Sequence, residues 1–382
     1  MLAIIRHYQN SMDIKNYSTL PFYLKLACIL FSLIAIVYIV VIAKDILSPV
    51  IFSCLFSILL LPLASAFEFK LKLPRSAASM LAVILFLSTV GLIIYVLASQ
   101  ITSLANDWPQ FQDQLDKSIN TIQNWISQTF HITAYKQLKY VHNATSKIME
   151  SGTTVVGTTL LSISSILLFL VFTFIYTFFF LLYRRLIMRF LESVFLPENK
   201  KLVHDIIEQV QFIIRKYIIG LIIEMLIVAV AVSFTFWLLD IKYAILLGLI
   251  TAILNIIPYI GIFTALIIST AITFATAAVF SKVIMVIVTL VIIHLIDSNI
   301  LLPVIVGSKV RINALITIMG VIIGEMIWGI PGMFLSIPVI AVLKIIFDRV
   351  ESLNSWGIIL GDEEVKQNRL AEKLKPKRKS LQ

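Results

Sequence analysis

Hydrophobic positions fall in long unbroken runs, and polar positions gather between them. Leu24–Ala43, Ala77–Ala98, Leu160–Tyr183 and Tyr217–Leu239 each approach the roughly 20 apolar residues that cross a hydrocarbon core. Leu, Ile and Phe fill these runs without strict alternation, and in lipid every backbone amide needs an internal partner, so helices are favoured over a barrel. Two later apolar segments are punctuated. Tyr243–Val279 is broken at Pro258-Tyr259-Ile260-Gly261, and Ala314–Phe347 at Gly329-Ile330-Pro331-Gly332. Each short-armed pair reads either as two compressed spans or as one re-entrant hairpin. The pattern predicts an all-α polytopic membrane protein with about six full spans and two Pro/Gly-broken hairpins, roughly eight to ten apolar helices in total.

Composition strengthens this reading. Of 382 residues 59% are hydrophobic and 14% charged, with a mean hydropathy of +0.99, too apolar for a water-soluble domain. The net charge of +10 would suit nucleic-acid binding in a soluble chain, but its placement excludes that class. Lys70, Lys72 and Arg75, then Arg184, Arg185 and Arg189, then Lys200, Lys201, Arg215 and Lys216, and finally Lys366 to Lys379 flank apolar runs, as expected of cytoplasmic loops.

This charge pattern organises the chain. Residues 1–23 form a cytoplasmic N-terminus without a cleavable signal, and residues 24–183 a first membrane half of four spans. Residues 101–152 are an extracytoplasmic helical insertion, with Trp108, Phe111, Leu115, Ile119, Ile122 and Ile126 at helical spacing. Their apolar stripe packs on the membrane or on itself, and a surface for a partner, a ligand or self-association into a homo-oligomer is the alternative. Residues 184–216 carry a cytoplasmic interfacial helix, 217–350 a second membrane half with the two hairpins inverted, and 351–382 a basic cytoplasmic tail. The phenylalanines of the fourth span read as lipid-facing bulk. Cys28 and Cys54, inside apolar runs, read as inert packing thiols.

Matched Gly/Pro interruptions in two units point to a transporter's binding site, because unwound backbone at membrane depth must line protein or a watery cavity. Close helix packing is the competing explanation. The stretches Asn255-Ile256-Ile257-Pro258-Tyr259-Ile260-Gly261, His294-Leu295-Ile296-Asp297-Ser298-Asn299 ahead of Pro303 and Gly307, and Trp328-Gly329-Ile330-Pro331-Gly332 before Ser336-Ile337-Pro338 resemble the autoinducer-2 exporter family of bacterial permeases. The resemblance implies a multi-pass protein of the bacterial inner membrane with both termini cytoplasmic. It further implies export of a small polar solute such as autoinducer-2 or, in other members, sodium-proton exchange. Glu325 and His294 depart from the residues common in that family.

Ionisable residues inside apolar runs are the candidate chemistry, since an unpaired acid at the bilayer centre costs about 2.5–3.5 kcal/mol. Asp297 follows His294 by three residues on one helical face, with Ser298 and Asn299 adding neutral ligands for a solute or monovalent cation. A polar cap at the cytoplasmic helix end is the alternative. Asn255 offers an amide to a solute or to carbonyls freed by Pro258. Glu325 lies one turn before the second break, facing the tip or pairing with Lys344, and Glu224 snorkels to Arg215 or Lys216 or couples protons. With Gly261, Gly329, Pro331 and Gly332 these residues form the candidate site. No metal, cofactor or catalytic motif is found, so no enzyme is expected and a non-transporting membrane scaffold is the other class.

Overall fold

The structure, a computed structural model, describes residues 21–107, 128, 165–257, 260–277, 279–307 and 312–361. The stripe from Trp108 to Ile126, Pro258, Lys309, Arg311 and the basic tail lie outside the described residues. Those that are described form helices joined by short turns, and seven helices are long and apolar enough to cross a membrane.

The chain divides after Leu47. In the N-terminal unit, α1 (Phe22–Ile42) buries none of its 21 residues. The larger unit holds most of α2 (Lys44–Phe69), then α3 (Arg75–Asn106) and α4 (Ser165–Leu182). Leu60, Ala64, Ala82, Val83, Phe174 and Leu181 make the core of these three helices. Lipid tails are as apolar as leucine, so what holds such helices is close packing, which small residues such as Ala64 and Ala82 permit. Thr173 and Thr177 stay fully buried because each hydroxyl donates to the carbonyl one turn back, at 2.7 Å. The phenylalanines of α4 do not all face lipid. Phe172 and Phe179 do, whereas Phe174 is buried and Phe169 stacks edge-on against Phe52 at 5.4 Å, because the residues of one helix are shared between its two faces. Cys28 and Cys54 are free and exposed on their helices, so lipid-facing placement replaces the expected packing role.

After α5 (Arg184–Val194), α6 runs from Lys200 to Leu238 without interruption. An interfacial helix with a separate span after residue 216 was expected. No proline or capping residue intervenes there, so backbone hydrogen bonding continues, and the 39-residue helix is about 58 Å long, roughly twice the hydrocarbon core. Helix α6 is the post on which the second half is built.

The first hairpin pairs α7 (Ala244–Leu254) with α8 (Ile260–Thr276), and α9 (Phe280–Ile296) continues as a π-helical segment from Asp297 to Gly307. The second pairs α10 (Ala314–Trp328) with α11 (Ile330–Arg349), ahead of the short α12 (Asn354–Leu360). At 20 residues α11 reaches spanning length, longer than the short arm that the break at Pro331 suggested. Both hairpins close through glycine. A Cβ at Gly261 would lie 1.9 Å from the Leu254 carbonyl oxygen, and one at Gly332 would lie 1.9 Å from that of Gly324.

The hairpins meet α6 at different levels. Val228, Ala229, Val232 and Phe236 pack with Ala244, Leu247, Ala252, Val286 and Leu290. Nearer the chain's basic residues, Ile214, Tyr217, Ile218 and Leu221 pack with Leu55 and Leu335. Glu224 falls between the two clusters.

Candidate functional site

Glu224 is 3% exposed and lies about 21 Å short of the Leu238 end of α6, which places it well inside a bilayer of about 30 Å. It shares the buried face of α6 with Tyr217, Leu221 and Val228, one helical stripe at three- and four-residue spacing. Asn255, the residue after α7, extends its amide into that stripe. Its Nδ2 donates to Glu224 Oε1 at 3.3 Å and to Asp297 Oδ2 at 2.9 Å. Asp297, 5% exposed, sits where α9 widens into the π-helical segment, a distortion that often marks functional positions.

Three helices thus bring one amide and two carboxyl groups together in an apolar interior. The amide uses both of its hydrogens, one on each acid. Glu224 Oε2 and Asp297 Oδ1 remain buried with no hydrogen-bond partner among the described residues, as does His294 Nδ1. Two acids bridged by one neutral amide at membrane depth retain strong acceptor capacity, and a proton, a cation or a hydroxyl-bearing solute would satisfy it. Among the described residues no cluster of three or more metal-ligating side chains is present.

The remaining sequence candidates lie elsewhere. Asn299 is exposed and its amide donates to the Leu295 carbonyl at 2.8 Å, while Ser298 donates to that of His294 at 2.5 Å. Glu224 does not snorkel; it pairs with Asn255 instead of Arg215 or Lys216, because its stripe turns inward. Glu325 is exposed and does not reach Lys344, whose ammonium is held by Asp348 at 2.7 Å, one turn away on the same helix. Gly329, Pro331 and Gly332 form the turn and first residues of α11. Beside them Trp328, Phe334 and Leu335 pack with Phe52, Leu55, Tyr217 and Leu221, so among the described residues the second break lies against apolar side chains.

Two polar corners were not anticipated. At the basic end, Glu68 receives Arg184 and also lies within 3.6 Å of Arg75 and 3.5 Å of Arg185. At the opposite end, Asp107 after α3 takes Lys242 at 2.9 Å and the Tyr243 hydroxyl at 2.5 Å, and Lys282 joins Asp240 at 2.7 Å. The signal available in sequence was the charged residue just beyond each apolar run, but partners so far apart in the chain left no spacing to read.

The family model for AI-2E family transporters matches residues 30–352, a stretch that contains every element of the site. The chain belongs to the AI-2E transporter family. The AI-2 transport protein TqsA of Escherichia coli (strain K12) is 25% identical over 346 residues, covering 89% of this chain and 96% of TqsA. A Bacillus subtilis (strain 168) protein named "Putative transport protein YrrI" is 26% identical over 311 residues, 79% of this chain and 86% of that one. A multi-pass membrane transporter is therefore the class of protein in which Glu224, Asn255 and Asp297 meet.

Proposed function

We propose that this AI-2E family member is a secondary permease that passes a small polar solute through the site formed by Glu224, Asn255 and Asp297. The observation that carries the reading is the convergence of those three side chains, from α6, the first hairpin and α9, at the level where the two apolar clusters of α6 divide. The free carboxylate oxygens accept hydroxyl or amine donors of a solute, and Asn255 ties the hairpin to the acids so that solute binding is felt by both. His294, three residues before Asp297, keeps a buried Nδ1 without a hydrogen-bond partner among the described residues and is a further candidate for solute contact. The sequence carries no ATP-binding loop, so an ion gradient, a partner or the solute's own gradient would supply the energy. The basic end faces the cytoplasm of a bacterial inner membrane, because lysine and arginine resist translocation. AI-2, the solute in the name of TqsA, is the first to test.

The test is flux in proteoliposomes made with the full chain, loaded with AI-2 or another small polar solute under imposed proton or sodium gradients. Wild-type flux that Glu224→Gln and Asp297→Asn each cut on the order of 10- to 100-fold, with the proteins still folded, is the expected result. Full flux in both variants would remove the site, and cation exchange without solute movement would replace the permease by an antiporter.

A further inference from the structure

The corner at Glu68 carries more positive charge than it needs. Arg184 donates to Glu68 Oε2, and Arg185 and Arg75 approach Oε1 at 3.5 and 3.6 Å, so one carboxylate faces three guanidinium groups. Glu68 and Arg184 are 13% and 17% exposed, whereas Arg75 and Arg185 are 29% and 57% exposed, so the inner pair is shielded from water and the outer guanidinium faces stay open to a ligand. Arg184 also keeps a buried nitrogen, Nη1, that makes no hydrogen bond, while Arg75 Nε faces Glu68 at 3.6 Å, too far for one. A third such nitrogen, Arg215 Nε, lies on α6. Helix α5 runs antiparallel to α6, with Glu192 beside His204 and Met188 beside Gln211. Continued by one turn, that register sets Arg184 and Arg215 at the same level of the antiparallel pair.

Buried guanidinium donors without acceptors are costly and call for an anion with several oxygens in a compact shape. Around the cluster the surface is apolar. Phe69 is 67% exposed and Leu186 57%, with Leu71 and Tyr183 also open, so an anion seated here has hydrocarbon-compatible walls beside it. From this geometry we infer that the Glu68 corner is a binding site for the phosphate headgroup of an anionic phospholipid, with its acyl chains along Phe69, Tyr183 and Leu186. Arg184, Arg75 and Arg215 contact the phosphate oxygens, and Glu68 holds the guanidinium groups in place while limiting their net charge. The site joins the end of α2 and the start of α5 to α6, so the bound lipid ties the first membrane half to the post of the second.

Thermal unfolding of the full chain in phosphatidylcholine vesicles, titrated with phosphatidylglycerol at constant ionic strength, tests this. Phosphatidylglycerol should raise the unfolding midpoint saturably, and Arg184→Gln with Arg215→Gln should weaken its apparent affinity roughly 30-fold, about fivefold per arginine. Glu68→Gln should lower the midpoint in pure phosphatidylcholine yet bind phosphatidylglycerol more tightly, an outcome that a purely internal ion pair does not give. Equal loss of stability in both lipids with unchanged affinity would overturn the site. An identical phosphatidylglycerol response in wild type and every variant, as a general surface potential gives, would overturn it too. Inorganic phosphate at matched concentration should leave the midpoint where it was; a shift equal to that of the lipid would reassign the corner to a soluble anion. If the double variant does not fold, retention of phosphatidylglycerol by wild type and Glu68→Gln in native mass spectrometry decides, and lower retention by Glu68→Gln would reject the proposal.

Discussion

The two broken hairpins carry the same punctuation in sequence and do different work. The first ends in Asn255, whose amide reaches two buried acids on other helices. The second turns at Gly329, with φ of 67° and ψ of −142°, and its neighbours are aromatic and aliphatic. Backbone interruption alone therefore does not make a site. It makes a candidate site where the break places a polar side chain opposite buried acids, and it is packing where glycine lets two arms touch.

The sharpest way to break this contrast is through the acids. Asp297→Asn should cut solute flux on the order of 10- to 100-fold, the loss of one charged hydrogen-bonding group, without lowering the melting temperature, since a buried charge is removed. A variant that transports at the wild-type rate would put the first hairpin on the same footing as the second. Next come the glycines. Gly261→Ala and Gly332→Ala each force a methyl group into a carbonyl oxygen, and both should cost about 1–3 kcal/mol in unfolding experiments. Only Gly261→Ala should also depress flux, because it displaces the turn that aims Asn255; equal flux in the two variants would erase the distinction. Gly329→Ala meets no neighbouring atom, so its cost is the backbone strain of its dihedral angles, about 1–3 kcal/mol, with flux per folded molecule unchanged.

The smallest effect belongs to the link between α3 and the first hairpin. Lys242, and beside it Tyr243, hold the Asp107 carboxyl below its usual range. Because the folded value is depressed, the link contributes fully above the unfolded carboxylate value of about 3.9 and fades as pH falls through the folded one. The melting difference between wild type and Asp107→Asn should be constant from about pH 5 to 8 and shrink below about pH 4. A difference that grows on acidification would contradict the pairing.

Much of the architecture was legible in residue order. Apolar runs of spanning length require helices, because lipid offers backbone groups no partner, and the clustering of lysine and arginine divides the ends of those helices. The resemblance carried by the Asn255, His294 and Trp328 stretches agreed with the family that the chain belongs to. Asn255 and Asp297 stood out as polar residues in apolar surroundings. Glu224 stands out as well, but Arg215 and Lys216 nearby in the chain point to an ion pair, with proton coupling as the alternative, whereas the fold pairs it with Asn255. The stripe of Tyr217, Leu221 and Val228 turns that face inward.

What residue order determined is which segments enter the membrane and which polar residues enter with them, since transfer into hydrocarbon is a property of each segment alone. Only the tertiary structure decided that α6 is continuous, that the hairpins dock on it at separate levels, and that Glu224, Asn255 and Asp297 meet while the second break stays apolar. Contacts between residues 31 and 42 positions apart depend on how whole helices pack, and in a membrane that packing follows from surface shape, where a single glycine or a single amide changes which faces touch.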